Sequence, residues 1–190
     1  GETIESVLVQ NYPDLEYIVV DGGSTDGTVE LLQTYGDQIC WISEPDRGQS
    51  HAINNGLRMA TGEVLTYLNA DDLYEPGALA EVGAFFVEHP SEAWVTGKCR
   101  VIDAKGRDVN SLVTTYRNLW LRLHSYDILQ VINYVPQPAT FWRREVTETI
   151  GLFQEQLFYT MDYDYWLRIG QRFRLSFINT YYINGIVYPL

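Results

Sequence analysis

The feature that most constrains this chain is alternation. Short apolar runs, each ending in a polar or acidic residue, are separated by stretches with helical periodicity. Residues 16–21 form such a run and end at Asp21. A turn rich in glycine follows, then a short helical stretch over 29–35 closed by Gly36. The pattern repeats with runs at 38–43, 63–68 and 93–101. Between them, Ala52, Ile53, Leu57 and Ala60 share one helical face, as do Leu79, Val82, Phe85 and Phe86 after Pro76. Runs this short and this apolar suit strands buried on both faces, so the spacing predicts an α/β fold with a mostly parallel, Rossmann-like sheet flanked by helices. Ligands of such sheets sit beyond the carboxyl ends of the strands. Asp21 and the cluster Asn69-Ala70-Asp71-Asp72 both fall at such ends.

The second half is less regular. Residues 102–107 read as a hairpin turn, and 118–131 as a helix with Leu119, Trp120 and Leu123 as its apolar positions. Residues 137–141 read as extended, 144–150 as a helix stopped by Gly151, 161–168 as the opening of another helix, and 175–187 as a strand.

Charge narrows the function. The chain carries 13 basic and 25 acidic residues, a net charge of −12. Nucleic acids as partners are excluded by that balance, because sequence-independent binding to phosphate backbones needs a basic surface. An anionic small molecule would need a local cation, either a metal ion or a positioned arginine. Disorder is excluded by 46% hydrophobic residues. Cys40 and Cys99 are too few for a disulfide scaffold and read as small buried hydrophobes. There is no phosphate-binding P-loop, no G-x-S-x-G elbow, and no pair among His51, His89 and His124 at metal spacing. Asn69-Ala70-Asp71-Asp72 has two readings on spacing alone. Its carboxylates suit a hard divalent cation, or one of them caps a helix starting near Pro76.

The ordered set of segments resembles family 2 glycosyltransferases of the GT-A fold. It comprises Val19-Val20-Asp21-Gly22-Gly23-Ser24-Thr25-Asp26-Gly27-Thr28, Asp46-Arg47-Gly48-Gln49-Ser50, Ala60-Thr61-Gly62-Glu63 and Leu68-Asn69-Ala70-Asp71-Asp72. Gln137-Pro138-Ala139-Thr140-Phe141 and Met161-Asp162-Tyr163-Asp164-Tyr165-Trp166-Leu167-Arg168 complete it. The resemblance implies an inverting transferase, a nucleotide-diphosphate sugar donor, and a divalent metal, Mg²⁺ or Mn²⁺. By the same resemblance Asp21 meets the nucleotide base, with Gly23, Arg47 and Asn69 beside it on the donor side. Asp71, with Asp72, holds the metal. Asp162 is the general base, although Asp164 competes for that role and either carboxylate could simply cap the helix. Gln137 and Thr140 fall on the acceptor side. Trp166 and Trp142 either stack on sugars or belong to the core. Residues 1–97 then form the donor part and 98–190 the acceptor and catalytic-base part of one domain. The acceptor expected is a saccharide or lipid-linked saccharide. Polysaccharide or lipopolysaccharide assembly follows as a family-level expectation, in the cytoplasm at the inner face of the membrane, with peripheral membrane association of the full-length protein.

Several positions depart from the family pattern. Gly22 stands where many members have a second Asp, Asn69 replaces the first acid of the D-x-D, and Met161 stands where Glu often precedes the base. Family members also begin with an apolar strand ahead of the first helix, whereas this chain opens inside that helix at Thr3. The expectation is therefore a fragment lacking its first strand and also cut at Leu190, with a gap between the strands at 17–21 and 64–68. Two alternatives remain on sequence grounds: a metal-dependent nucleotidyltransferase, which would want a phosphate loop rich in glycine and basic residues, and a non-catalytic sugar-binding domain of the same fold.

Overall fold

The computed structural model describes residues 1–103, 109 and 111–187. In chain order the helices and strands are α1 (Glu2–Leu8), β1 (Ile18–Asp21), α2 (Thr28–Thr34), β2 (Cys40–Ser43), α3 (Gln49–Met59), β3 (Val64–Leu65), β4 (Asp72–Tyr74), α4 (Ala78–Glu88), β5 (Trp94–Asp103), α5 (Ser111–Arg122), α6 (Tyr126–Leu129), β6 (Thr140–Arg143), α7 (Arg144–Ile150), α8 (Met161–Gly170) and β7 (Leu175–Val187). The expected α/β alternation is present, and α7 and β7 have the bounds read from the sequence. The expected turn at 102–107 falls largely outside the described residues; β5 itself continues to Asp103.

Strand directions differ from expectation. Among the described residues β1 pairs with β2 alone, in parallel, and the remaining strands form a second sheet in the order β3-β6-β5-β7-β4. There β5 and β7 run parallel, whereas β3/β6, β5/β6 and β4/β7 are antiparallel, so the sheet is mixed rather than mostly parallel. An apolar run reports burial on both faces but not the direction of its neighbour, which depends on how the intervening chain crosses over. β4 has no strand signature of its own. It exists because Asp72, Leu73 and Tyr74 pair with Gly185, Asn184 and Ile183 of the long β7. Helix α4 consequently starts at Ala78 after a turn, not at Pro76.

The gap expected between the strands at 17–21 and 64–68 is present. β1 and β3 lie in different sheets, and a cavity of about 1010 Å³ separates them, lined by Tyr17, Ile18 and Val20 on one side and Val64, Leu65 and Phe86 on the other.

Three apolar clusters hold the elements. Ile4, Leu32 and Ile39 pack beneath β1 and β2, and Val7, Tyr74, Phe141, Tyr182 and Ile183 join α1 to the large sheet. The third packs β5, β6 and α8 together: Trp94, Trp142 and Trp166 are each fully buried, with ring centroids 5.7 Å apart for Trp142–Trp166 and 5.9 Å for Trp94–Trp166. Tyr165 stacks on Phe153 at 3.9 Å. Rings of this size dominate core energetics, and truncating one typically costs about 3–5 kcal/mol. Helix α8 is thus anchored by its buried face, which sets where its first turn points. Cys40, read as buried, is exposed on β2.

Candidate active site

Asp21 ends β1 and is only 8% exposed. Its Oδ2 accepts from the Gly23 and Ser24 amides at 3.0 and 2.9 Å and from the Ser43 hydroxyl at 2.6 Å; its Oδ1 accepts from the Ser24 hydroxyl at 2.5 Å. Burial raises the carboxyl pKa, but these hydrogen bonds favour the charged form more strongly and hold it at about 2. The bond to Ser43 ties the end of β1 to the end of β2. Gly23 sits at φ 86°, which a side chain would strain, and its amide then faces back to Asp21. Asp21 is therefore an organiser of this turn, with its own chain supplying four donors to it.

Gly22 lies beside the carboxylate of Asp46. A Cβ built there would lie 2.7 Å from Oδ2 of Asp46. Asp46 also accepts from the Gly48 amide at 2.8 Å, so its loop delivers a carboxylate into the space beside Gly22. The next residue, Arg47, donates to Glu155 through Nη2 at 2.7 Å and Nε at 3.2 Å. Its side chain is 68% exposed. An ion pair this exposed is weakly held, so the guanidinium is available to exchange Glu155 for another anion.

After β3 the chain places its polar cluster. Asn69 is the hub: its amide nitrogen donates to Oε1 of Gln137 at 3.1 Å and to Asp72 at 3.3 Å, and its oxygen accepts from Gln49 at 2.7 Å. Gln137 in turn donates to the Tyr67 carbonyl at 2.8 Å. The neighbours Asp71 and Asp72 differ in setting: Asp71 lies in the turn closed by the Asp72 amide donating to the Asn69 carbonyl at 3.2 Å, and Asp72 begins a strand. Asp71 is exposed, whereas Asp72 starts β4, is buried, and lies against Gly185. Burial, then the negative charge of Asp71, push the Asp72 carboxyl up to about 7 despite the bonds from Asn69.

Asp162 opens α8 half-buried, its Oδ1 accepting from the Tyr163 amide at 2.7 Å. The Tyr67 phenol lies near enough to feel the charges of both Asp162 and Asp72. Its pKa is raised well above the usual value by burial, then by the negative charges of Asp162 and Asp72. Gln49, at the start of α3, reaches the segment after β3 by donating to Asn69. Ser50, beside it, donates to Sδ of Met161 at 2.8 Å. Asp164 has a different environment. It is paired with Arg168 at 2.8 Å, and Arg168 also donates to the carbonyls of Ile150 and Leu152.

Two acceptor-side expectations are corrected. Trp166 is fully buried among Trp94, Trp142 and Tyr165, because it points into the core face of α8. Thr140 is also fully buried, sharing a hydrogen bond with Thr96 across the β5/β6 pairing and donating to the Pro136 carbonyl. Neither reaches a surface ligand. Gln137 does sit at the cluster. Tyr67, Gln49 and Glu155 were not singled out from the sequence. Tyr67 falls within an ordinary apolar run, and only its contacts give it a place here.

The donor set fits a hard divalent cation in one arrangement. Among the described residues no group of three His, Cys, Asp or Glu side chains converges. Mg²⁺ and Mn²⁺ are commonly held by one or two carboxylates together with substrate phosphates. The exposed Asp71 can supply such a carboxylate; Asp72, buried and hydrogen-bonded to Asn69, is better suited to backing it.

Residues 1–151 match the sequence model described as Glycosyl transferase family 2. An uncharacterized glycosyltransferase of Rickettsia typhi is 30% identical over 169 residues, covering 88% of this chain and 53% of the relative. A PGL/p-HBAD biosynthesis glycosyltransferase of Mycobacterium tuberculosis is 32% identical over 170 residues, covering 87% of this chain and 62% of the relative. The chain therefore spans little more than half the length of the curated relatives it matches. Among solved structures, S. aureus TarS 1-349 in complex with UDP-GlcNAc superposes with a TM-score of 0.77 at 18% identity, covering 100% of this chain and 55% of that fragment. A mannosyltransferase from Pyrobaculum calidifontis in complex with GDP-Man and Mn²⁺ gives 0.70 at 22% identity, covering 99% and 52%. At these identities the two structures speak to the fold, which is GT-A.

Proposed function

Because this chain belongs to glycosyl transferase family 2, we propose that it moves a sugar, of the hexose type, from a nucleotide-diphosphate sugar to an acceptor hydroxyl with inversion at the anomeric carbon. The observation that supports the assignment of roles is that adjacent residues at the start of α3 bond both segments, Gln49 to Asn69 and Ser50 to Met161, which brings the first turn of α8, with Asp162, close to the Asn69–Asp72 segment. Asp162 accepts the proton of the acceptor hydroxyl as that oxygen attacks the anomeric carbon and the bond to the diphosphate breaks. Asp164 is unsuited to this because Arg168 holds it. Arg47, once released from Glu155, faces the diphosphate charge. Asn69 and Gln137 position the segment that carries Asp71. A divalent cation bound at Asp71 would supply electrostatic stabilisation of the departing diphosphate. The GDP-Man and Mn²⁺ bound to the archaeal mannosyltransferase, and the UDP-GlcNAc bound to TarS, support a donor and a metal of these classes.

On this reading residues 1–97 serve the donor and 98–190 the acceptor and the base. The acceptor is a saccharide or lipid-linked saccharide, and the setting is polysaccharide or lipopolysaccharide assembly at the cytoplasmic face of the membrane. The test is to incubate the full-length protein with a panel of nucleotide sugars, with Mn²⁺ or Mg²⁺ and with a chelator. Release of nucleoside diphosphate that needs both metal and Asp162 is expected. Consumption of a nucleoside triphosphate and a sugar phosphate instead would identify a nucleotidyltransferase. Donor binding without turnover would identify a sugar-binding domain.

A further inference from the structure

Helix α5 presents its apolar side to the outside. The face it packs on β5 and β7 is made by Thr114 and Leu121, which are buried, and by Asn118, which donates to the Tyr181 hydroxyl at 3.0 Å. Leu112, Tyr116 and Leu119 lie at i, i+4 and i+7 on the opposite side, and Leu123 continues the stripe at i+11 just past the helix end. They are 84%, 50%, 54% and 57% exposed. The apolar positions read from the sequence, Leu119 and Leu123, thus face outward. A contiguous apolar stripe left in water marks an interaction surface rather than a scattered exception.

The surroundings of the stripe have the opposite charge to the chain. Helix α5 carries Arg117 and Arg122 and no acidic residue, in a protein with 25 acids and a net charge of −12. Lys98 and Arg100, on the strand beneath, both stack on the Tyr181 ring, at 5.0 and 4.2 Å. Burial and then the neighbouring charges of Arg122 and Arg100 lower the Lys98 pKa, which places these cations within reach of one another. Arg100 is offset by Glu75 at 3.1 Å, and Asp127 is the first acid beyond the helix. Apolar side chains in a row, flanked by arginines and backed by further cations, match the chemistry of an interfacial helix on an anionic lipid surface.

We infer that the outer face of α5 is a docking surface for anionic lipid bilayers, with Leu112, Tyr116, Leu119 and Leu123 entering the headgroup–acyl boundary and Arg117 and Arg122 meeting the lipid phosphates. The inference rests on the surface alone and holds whichever sugar is transferred. It gives the peripheral membrane placement proposed above a physical location. No helix among the described residues is long and apolar enough to cross a membrane, and none is needed for this mode of attachment.

The test uses full-length protein without donor or acceptor, so its outcome is independent of the transferase reading. Co-sedimentation is measured with vesicles of phosphatidylcholine alone and of phosphatidylcholine mixed with phosphatidylglycerol, at low and physiological ionic strength. Binding to the mixed vesicles that weakens with salt is expected. Leu119→Ser with Leu123→Ser should lower partitioning by at least about tenfold, as should Arg117→Gln with Arg122→Gln. All four side chains are exposed, so the variants should melt like the wild type. Unchanged vesicle binding by either double variant, or no preference for the anionic vesicles, would overturn the inference. It would equally fall if the leucine variant converted a dimer to a monomer by light scattering, which would show that a second copy covers the stripe. Protection of the α5 amides in lipid-free full-length protein that is lost in that variant would show that the rest of the chain does so.

Discussion

Asp21 offers the sharpest separation between two roles for one residue, reader of the nucleotide base or organiser of its own turn. The substitution Asp21→Asn keeps the size and removes the charge. In the native turn three donors converge on Oδ2, the amides of Gly23 and Ser24 and the hydroxyl of Ser43, and one more reaches Oδ1. Asparagine can keep its carbonyl oxygen toward the three donors on Oδ2, and the Ser24 hydroxyl can rotate to accept from the new amide. What is lost is the charge assistance on three bonds, about 1 kcal/mol each, giving a destabilisation of about 2–4 kcal/mol. For a domain of this length that corresponds to a fall in Tm of roughly 5–15 °C. The pH dependence provides a second, independent signature. The folded carboxyl is held at about 2, below its ordinary 3.8. Its contribution is therefore fully present above about pH 4 and is lost as pH falls from there toward 2. Thermal melts of full-length wild type and Asp21→Asn, followed by circular dichroism from pH 7 downward, should show a gap that is constant near neutrality and narrows below about pH 4. If the variant melts with the wild type at pH 7 yet loses donor affinity, the carboxylate is reserved for the ligand and the reasoning from its hydrogen bonds is wrong.

Three further outcomes are expected. Asp162→Asn should lower turnover at least about a hundredfold with donor affinity nearly unchanged, whereas Asp164→Asn should mainly lower Tm by freeing Arg168; steady-state kinetics showing the reverse would move the base to Asp164. Asp71→Ala should abolish the gain in nucleotide-sugar affinity on adding Mn²⁺ in titration calorimetry, and Asp72→Asn should leave most of it; equal losses would make both carboxylates ligands. Gly97→Ala should destabilise by about 1–3 kcal/mol or prevent folding, since the new Cβ would run into the ring of the fully buried Tyr182 at Cδ2; an unchanged melting curve would show that the β5–β7 packing yields there.

Much of this protein was legible in local pattern. The α/β class followed from runs such as 16–21 and 38–43 alternating with helical faces, because burial of a strand or helix is written in its own periodicity. Helix α7 and strand β7 were bounded correctly for the same reason. Asp21, the Asn69–Asp72 cluster and Asp162 could be picked out because each stands at the end of an apolar run or the start of a helix. The breadth of the family likeness supplied what spacing alone left open, since the order of motifs along the chain carries more than any one of them.

Tertiary structure decided the rest. Strand β4 exists only through β7, over a hundred residues away, and the antiparallel entry of β6 is equally a matter of which edge is available. Neighbouring Asp71 and Asp72 look alike in sequence, yet one lies exposed in a turn and the other is buried where β4 pairs with β7. Trp166 and Thr140 sit in suggestive motifs yet are consumed by the core, and Leu119 and Leu123, with the periodicity of core residues, face outward because Thr114 and Leu121 make the packed side. A side chain's periodicity states that it shares a face with others. Which face meets the protein, and which meets solvent or a partner, is fixed by contacts between segments distant in sequence, and the local pattern does not encode them.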